Sequence, residues 1–226
     1  MLSFTVSSWF AWAPGLDAPD DWERQGSNPI AADLSTVPNV KDLPMMMRRR
    51  LSRLGRMAMR VAHDAGQRGG EGRLVFSSRY GEVALTVDLL IGLAKKEKLS
   101  PTAFSLSVHN ALAGLLSIYR KNRLPHTAIA AGEESFCAGL MEAAAMLLED
   151  STTPVLLVHY DEPLPEFYRP YVDDSVPSLA LALVLEAAPP QNEAHLDFGF
   201  CTRELCIVRD DTDPALGFIR FLAKNE

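Results

Sequence analysis

Residues 128–143, AIAAGEESFCAGLMEA, read as a strand that turns sharply into a helix, with Glu133 at the apex of the turn. The strand is TAIAAG. Beyond it Phe136, Leu140, Ala143 and Leu147 recur at helical spacing and mark one apolar face. Three further apolar runs lie on either side: RLVFSS (73–78), PVLLVHY (154–160) and SLALALVLE (178–186). They are short and nearly continuous in Val, Leu and Ala, the pattern of strands covered on both faces. Helical patterns separate them, one on Val83, Val87, Leu90 and Ala94, the next on Val108, Leu112, Leu115 and Tyr119, with Ser100 and Pro101 as the break. Strands that alternate with helices imply parallel pairing through right-handed crossovers. The expected architecture is therefore α/β, a mixed, mostly parallel sheet with helices on both faces, over one domain spanning 1–226.

The flanks extend this reading. MLSFTVSSWFAW is apolar but has neither a basic start nor a small-residue cleavage pattern, so residues 2–9 read as a first strand rather than a leader. A stretch rich in Pro, Gly and Asp from Pro14 to Pro44 shows little periodicity and predicts a long ordered excursion. Leu51, Leu54, Ala58, Val61 and Ala65 then place one amphipathic helix over 45–66, its other faces covered by Arg48, Arg49, Arg50, Arg53, Arg56 and Arg60 and its end marked by Gly66, Gly69 and Gly70. The last segment, 195–226, predicts a further strand and a terminal helix with Asp213 as N-cap and Pro214 at N1.

Composition narrows the function. The chain has 226 residues, 47% of them hydrophobic, enough for a sizeable core, and a net charge of −7 that disfavours a general nucleic-acid role. No apolar run is long enough to cross a bilayer. Cys137, Cys201 and Cys206 lack metal-ligand spacing and fit buried thiols of a reducing cytoplasm; the expectation for the chain as a whole is no metal and no other cofactor.

Two blocks carry a resemblance. SVHNALAGLLSI (107–118) is followed thirteen residues later by GEESFCAGLMEA (132–143). Together they resemble the segment of β-ketoacyl synthases in which an Asn-x-x-x-Gly-x-x-Ser-Ile helix precedes an Ala-Cys-x-Ser-Gly elbow. Asn110, Gly114, Ser117, Ile118, Ser135, Glu142 and Ala143 keep the family's spacing without a gap. RRRLSRLGRMAMRVAHDA, LVFSSRYGE and VPSLALALVLE are similar to that family's first long helix, second strand and closing strand. The resemblance implies a thiolase-like layered fold, N-terminal half only.

It also implies a function. The family's active-site cysteine falls on Glu133, and the chain ends at Glu226, before the half that supplies two active-site histidines in the family. A carboxylate there cannot accept an acyl group as a thiolate does. A ketosynthase-like chain without its cysteine resembles a chain-length factor, a non-catalytic partner of an active ketosynthase that shapes its acyl tunnel. WFAWAPGL and RRRLSRLGRM further resemble the truncated factors of aryl polyene systems.

From the resemblance come the expected site residues. Phe104, Val108 and Leu112 would form a tunnel floor or gate. His126, Thr127, Ala128, Ile129, Ala130 and Ala131 would pair antiparallel with the partner's equivalent strand. Arg48, Arg49, Arg50 and Arg53 are candidates for docking an acidic acyl carrier protein, with a solvated helix face or a contact to the synthase as alternatives.

Other roles compete for the same residues. Glu133 can be a solvent-bridged or arginine-paired surface carboxylate filling an abandoned site, or can stabilise the closed dimer or position a malonyl unit. Cys137 lies inside the helix and reads as a packed thiol. His109 reads as a helix-surface or core-bridging histidine, and Asn110 as a backbone anchor. The alternatives to a chain-length factor are an independent acyl-thioester enzyme, either a hydrolase using Cys137 or a malonyl decarboxylase using Glu133, and a regulator that binds carrier protein.

Overall fold

Alternate residues of the central strands point into two different cores, one on each side of a single sheet. The computed structural model describes residues 2–26, 28–30, 33–66, 72–172, 176–187, 196–198 and 213–224. In chain order the strands are β1 (Leu2–Trp12), β2 (Arg73–Ser77), β3 (His126–Ile129), β4 (Val155–Asp161), β5 (Leu179–Ala187) and β6 (Leu196–Phe198). The helices are α1 (Pro19–Gln25), α2 (Met45–Arg48), α3 (Arg53–Gly66), α4 (Val83–Ala94), α5 (Pro101–Ser107), α6 (Ala111–Arg120), α7 (Ser135–Glu149) and α8 (Pro214–Lys224).

The sheet runs β3-β2-β4-β5-β1-β6. β2 pairs parallel with β3 and β4, whereas β5 is antiparallel to β4 and β1, and β6 is antiparallel to β1. Four strands, β1 to β4, therefore share one direction, which is the expected mixed sheet. The connection from β4 to β5 differs from the expected crossover. Its described residues hold one 3-10 turn, Glu166–Tyr171, and no crossover helix, and β5 returns antiparallel to β4.

Leu74, Phe76, Leu156, Val158, Tyr160, Ala182 and Val184 face α3 and α6; Val75, Leu157, Leu181, Leu183 and Leu185 face α7 and α8. Burial on both faces explains why these strands are continuous in apolar residues rather than alternating. Leu140, Ala143 and Leu147 of α7 seat on the second face as their spacing predicts. Asp213 caps α8 as expected, its Oδ1 accepting from the backbone N–H groups of Ala215 and Leu216.

Four expectations change. β1 extends to Trp12, past residue 9. The excursion over 14–44 contains α1, and its buried Trp22 donates Nε1–H to the Ala11 carbonyl at 3.3 Å, fastening the excursion to this chain's own core. The helix expected over 45–66 is two helices. Ser52 starts the second, its Oγ accepting from Gly55 N–H at 2.8 Å. The third helix, expected from Val108, is α6 and starts at Ala111, and a further short helix, α5, precedes it, leaving Val108 in the link between them. Gly69, Gly70, Cys201 and Cys206 lie outside the described residues.

Candidate functional site

The elbow is built by one buried hydroxyl. Ser135 Oγ accepts from Ala131 N–H at 3.0 Å and donates to the Gly132 carbonyl at 2.7 Å, closing the turn between β3 and α7. Gly132 takes φ +61°, which a side chain would strain. Glu133 and Glu134 follow in a 3-10 turn, with both side chains exposed.

Glu133 is 68% exposed and meets Arg79 Nη2 at 3.3 Å. Arg79 leaves the end of β2 and stacks its guanidinium 5.0 Å from the Tyr80 ring. A solvent-facing pair of this kind contributes under about 1 kcal/mol to stability. Its consequence is positional: a carboxylate, already engaged by a cation, occupies the apex of the elbow.

Beneath the elbow lies a buried polar chain that sequence reasoning missed. Ser77 Oγ and His159 Nδ1 are hydrogen-bonded at 3.0 Å, and His159 Nε2 lies 3.5 Å from Asp161 Oδ2. Asp161 also accepts from Ser78 Oγ at 2.9 Å and from the Arg79 backbone N–H, while Gly81 N–H donates to Ser78 Oγ. Burial pushes the Asp161 carboxyl up, and His159 and the Ser78 hydroxyl pull it back. The residue types match a hydrolytic triad, but Ser77, His159 and Asp161 are all buried, and α7 crosses Ser77 at Gly139, so no substrate reaches them. Their work is to hold the 78–81 turn, and through it Arg79, at a fixed distance from Glu133. The signal was present as polar residues at the ends of two apolar strands, Ser77-Ser78 and His159-Asp161.

The expected site residues separate into groups. β3 occupies the end of the sheet, with one edge paired to β2 and the other left open among the described residues. Of the segment 126–131, only His126–Ile129 is strand; Ala130 and Ala131 are exposed in the turn. His109 bridges as one of its readings had it: Nε2 donates to the Ile129 carbonyl at 3.0 Å, and its ring sits against Gly81. Asn110 starts α6 through its backbone carbonyl, which accepts from Gly114, while its side chain makes no capping bond.

Phe104 (64% exposed) and Val108 stand on open surface, but Leu112 does not. Leu112 is sealed in the core, against the backbone at Gly55, and cannot gate a tunnel outside this chain. Arg53 is corrected in the same way. Its guanidinium donates to Glu162 at 2.8 Å, to Ser178 Oγ and to the Asp33 and Thr36 carbonyls, and lies 5.7 Å from the Trp12 ring. It pins the excursion to the core and is not free to dock a partner. Cys137 is 4% exposed, and burial, reinforced by Glu134, pushes its thiol up to about 12. It is a thiol at neutral pH, not a nucleophile.

The α4 face differs most from expectation. Val87 is buried, while Leu90, Ile91 and Leu93 are exposed. With Leu99, Phe104, Val108 and Ile118 they spread apolar surface over α4, α5 and α6, which pack on one another, with α6 against β3. Among the described residues no helix is long and apolar enough to cross a membrane.

An open-edged layered sheet with a strand-elbow-helix at that edge defines the class, the N-terminal half of a thiolase-like fold. Residues 20–209 match the β-ketoacyl synthase N-terminal domain, and the chain belongs to that family. It is similar, at 30% identity and a TM-score of 0.81, to a chain in the complex of a ketosynthase (ApeO) with its chain length factor (ApeC) from Xenorhabdus doucetiae, covering 100% of this chain and 93% of that one. Two more distant structures share the fold. They are the ishigamide ketosynthase/chain length factor (16% identity, TM-score 0.62, 82% of this chain and 62% of that one) and AntDE:AntF, a type II polyketide carrier protein complexed with its ketosynthase (14%, 0.63, 82% and 63%). The chain thus spans about three-fifths of those two relatives. Among curated proteins, none matches the sequence significantly.

Proposed function

We propose that this chain is a non-catalytic chain-length-factor subunit that pairs with an active β-ketoacyl synthase and shapes its acyl tunnel. The observation that carries the proposal is the union, at one edge of the sheet, of an unpaired strand, adjoining apolar helices and a carboxylate at the elbow. An unpaired strand edge beside exposed apolar helices is the surface an obligate partner covers. Glu133 cannot form the thioester that condensation requires, so the partner supplies the nucleophile. The similarity over 93% of one chain in a complex of a ketosynthase with its chain length factor supports the same reading.

In this proposal β3 adds to the partner's sheet, Phe104 and Val108 line the tunnel approach, and Arg49 and Arg50, with Arg48 behind them, meet the acidic carrier protein. The growing substrate is a polyketide thioester of a type II or fatty-acid-like system, with an aryl polyene as the expected product, in a cytoplasmic setting. The burial of Cys137 speaks against the thioester hydrolase.

Co-expression with a ketosynthase from the same organism, with a tag on this chain alone, tests the pairing by size-exclusion chromatography with mass determination. A co-eluting complex of fixed stoichiometry is expected. A soluble monomer that retains no ketosynthase ends the proposal. In the complex, Phe104→Ala is expected to lengthen the products read by mass spectrometry, since a ring removed from a tunnel leaves room for further methylenes.

A further inference from the structure

The break between α2 and α3 has a second effect besides shortening a helix. In an unbroken helix the Arg48 carbonyl would accept from the N–H four residues on. Here it accepts from Arg56 Nη2 at 3.2 Å, which folds Arg56 back against α2. Across from this corner the 38–41 segment forms a wall, held by Asn39 Oδ1 accepting from Lys41 N–H and by the Asn39 carbonyl accepting from Arg60.

Between the two lies an open cavity of about 390 Å³, lined by Lys41, Arg48, Arg49 and Arg56 together with Pro38, Asn39, Val40 and Met45. Four cations line it and no carboxylate does. Among the described residues, none of the four has a carboxylate partner, although neighbouring Arg53 and Arg60 are both ion-paired. Among the described residues, Arg48 Nε is buried without an acceptor. Buried N–H groups rarely remain unpaired, and Arg48 lines this cavity, where a bound anion would supply the acceptor. The concentration of charge is local, in a chain whose net charge is −7.

We propose that this groove binds a phosphate ester. Three guanidinium groups and an ammonium are better compensated by a dianionic phosphate than by a single carboxylate, and phosphate oxygens take forked arginine donors. Pro38, Val40 and Met45 give the organic portion an apolar wall. The volume is that of a small-molecule site rather than of a flat, membrane-facing surface. The site shares Arg48 and Arg49 with the proposed carrier-protein contact but does not require pairing with a synthase, so it survives the failure of that pairing.

Calorimetric titration of the full chain, kept with its synthase partner if solubility demands it, uses butyl phosphate and pyrophosphate as probes at low salt. Saturable binding is expected, weakened about tenfold or more by Arg49→Gln and by Arg56→Gln. Arg50→Gln, which removes the same charge outside the groove, is expected to leave it unchanged. Among the described residues Arg49 makes hydrogen bonds only through its backbone, so its variant keeps the test intact should Arg56→Gln disturb the helix junction. Equal weakening by Arg50→Gln, an absence of saturation, or binding confined to vesicles rich in phosphatidylglycerol each overturns the proposal.

Discussion

Glu82 shows how one buried side chain sets a pH dependence. It sits at the start of α4 with its carboxylate accepting from Ser52 Oγ at 2.7 Å. Burial pushes its carboxyl up from 4.5 to about 7, the Ser52 bond opposes the shift, and Glu162 adds to it. The folded chain therefore holds this proton more tightly than the unfolded chain does. The resulting stability is fully present below pH 4.5 and is lost as the pH rises through 7, on the order of 3 kcal/mol in all. Glu82→Gln keeps an acceptor for Ser52 and has no proton to lose. Urea unfolding between pH 5 and 7.5 is expected to show a falling midpoint for the native chain and a flatter one for the variant; parallel slopes would exclude Glu82 as the source. Cys137 gives a second residue-scale outcome. At pH 7 its peptide is expected to stay unmodified by iodoacetamide in the folded chain and to be alkylated in urea, as read by peptide mass mapping. Rapid labelling in the folded state would reopen the nucleophile reading.

Helix α7 depends on a close approach. A Cβ on Gly139 would lie 2.8 Å from Ser77 Cβ and Oγ and 3.1 Å from Leu157, so α7 rests directly on β2. Gly139→Ala is expected to cost about 1–3 kcal/mol in chemical unfolding and to weaken the Ser77–His159 contact beneath the elbow. An unchanged midpoint would mean that the helix shifts freely. The same elements show how much of the fold was legible in the sequence. β2, β4, β5 and α7 were readable because each is covered by protein, and burial writes itself into composition. The break after α2 was not, because Met47, Leu51, Leu54 and Ala58 keep helical spacing across it. Its one local sign was Ser52, a residue that caps. The apolar face of α4 misled for the converse reason: Leu90, Ile91 and Leu93 look like core residues because they are apolar, and the chain alone leaves them uncovered. The elbow and its apex glutamate were legible from the order Gly132-Glu133-Glu134-Ser135, whereas the Arg79 pairing and the His159 chain join residues 54 and 82 positions apart in sequence.

At the scale of the whole molecule, the open edge of β3 determines what the chain can become. Leu74 N–H donates to the Pro125 carbonyl and Ser78 N–H to the Ile129 carbonyl, so the odd-numbered residues bond inward to β2. Alternation along a strand then turns the N–H and C=O of His126 and Ala128 outward, toward whatever covers the edge. Ala128→Pro removes one outward donor while leaving the inward bonds in place, a position where edge strands tolerate proline. If β3 pairs with a synthase strand, this variant is expected to reduce co-purified synthase about tenfold, the loss of one interfacial hydrogen bond and its local register. Its unfolding midpoint should stay close to that of the native chain. Thr127→Pro is the counterpart, since it removes an inward donor and is expected to destabilise the chain itself. A partner retained in full by Ala128→Pro would place the contact on the helices α4 to α6 rather than on the strand. Charged substitutions at Leu93 and Ile118, both more than half exposed, would then become the way to separate the two subunits.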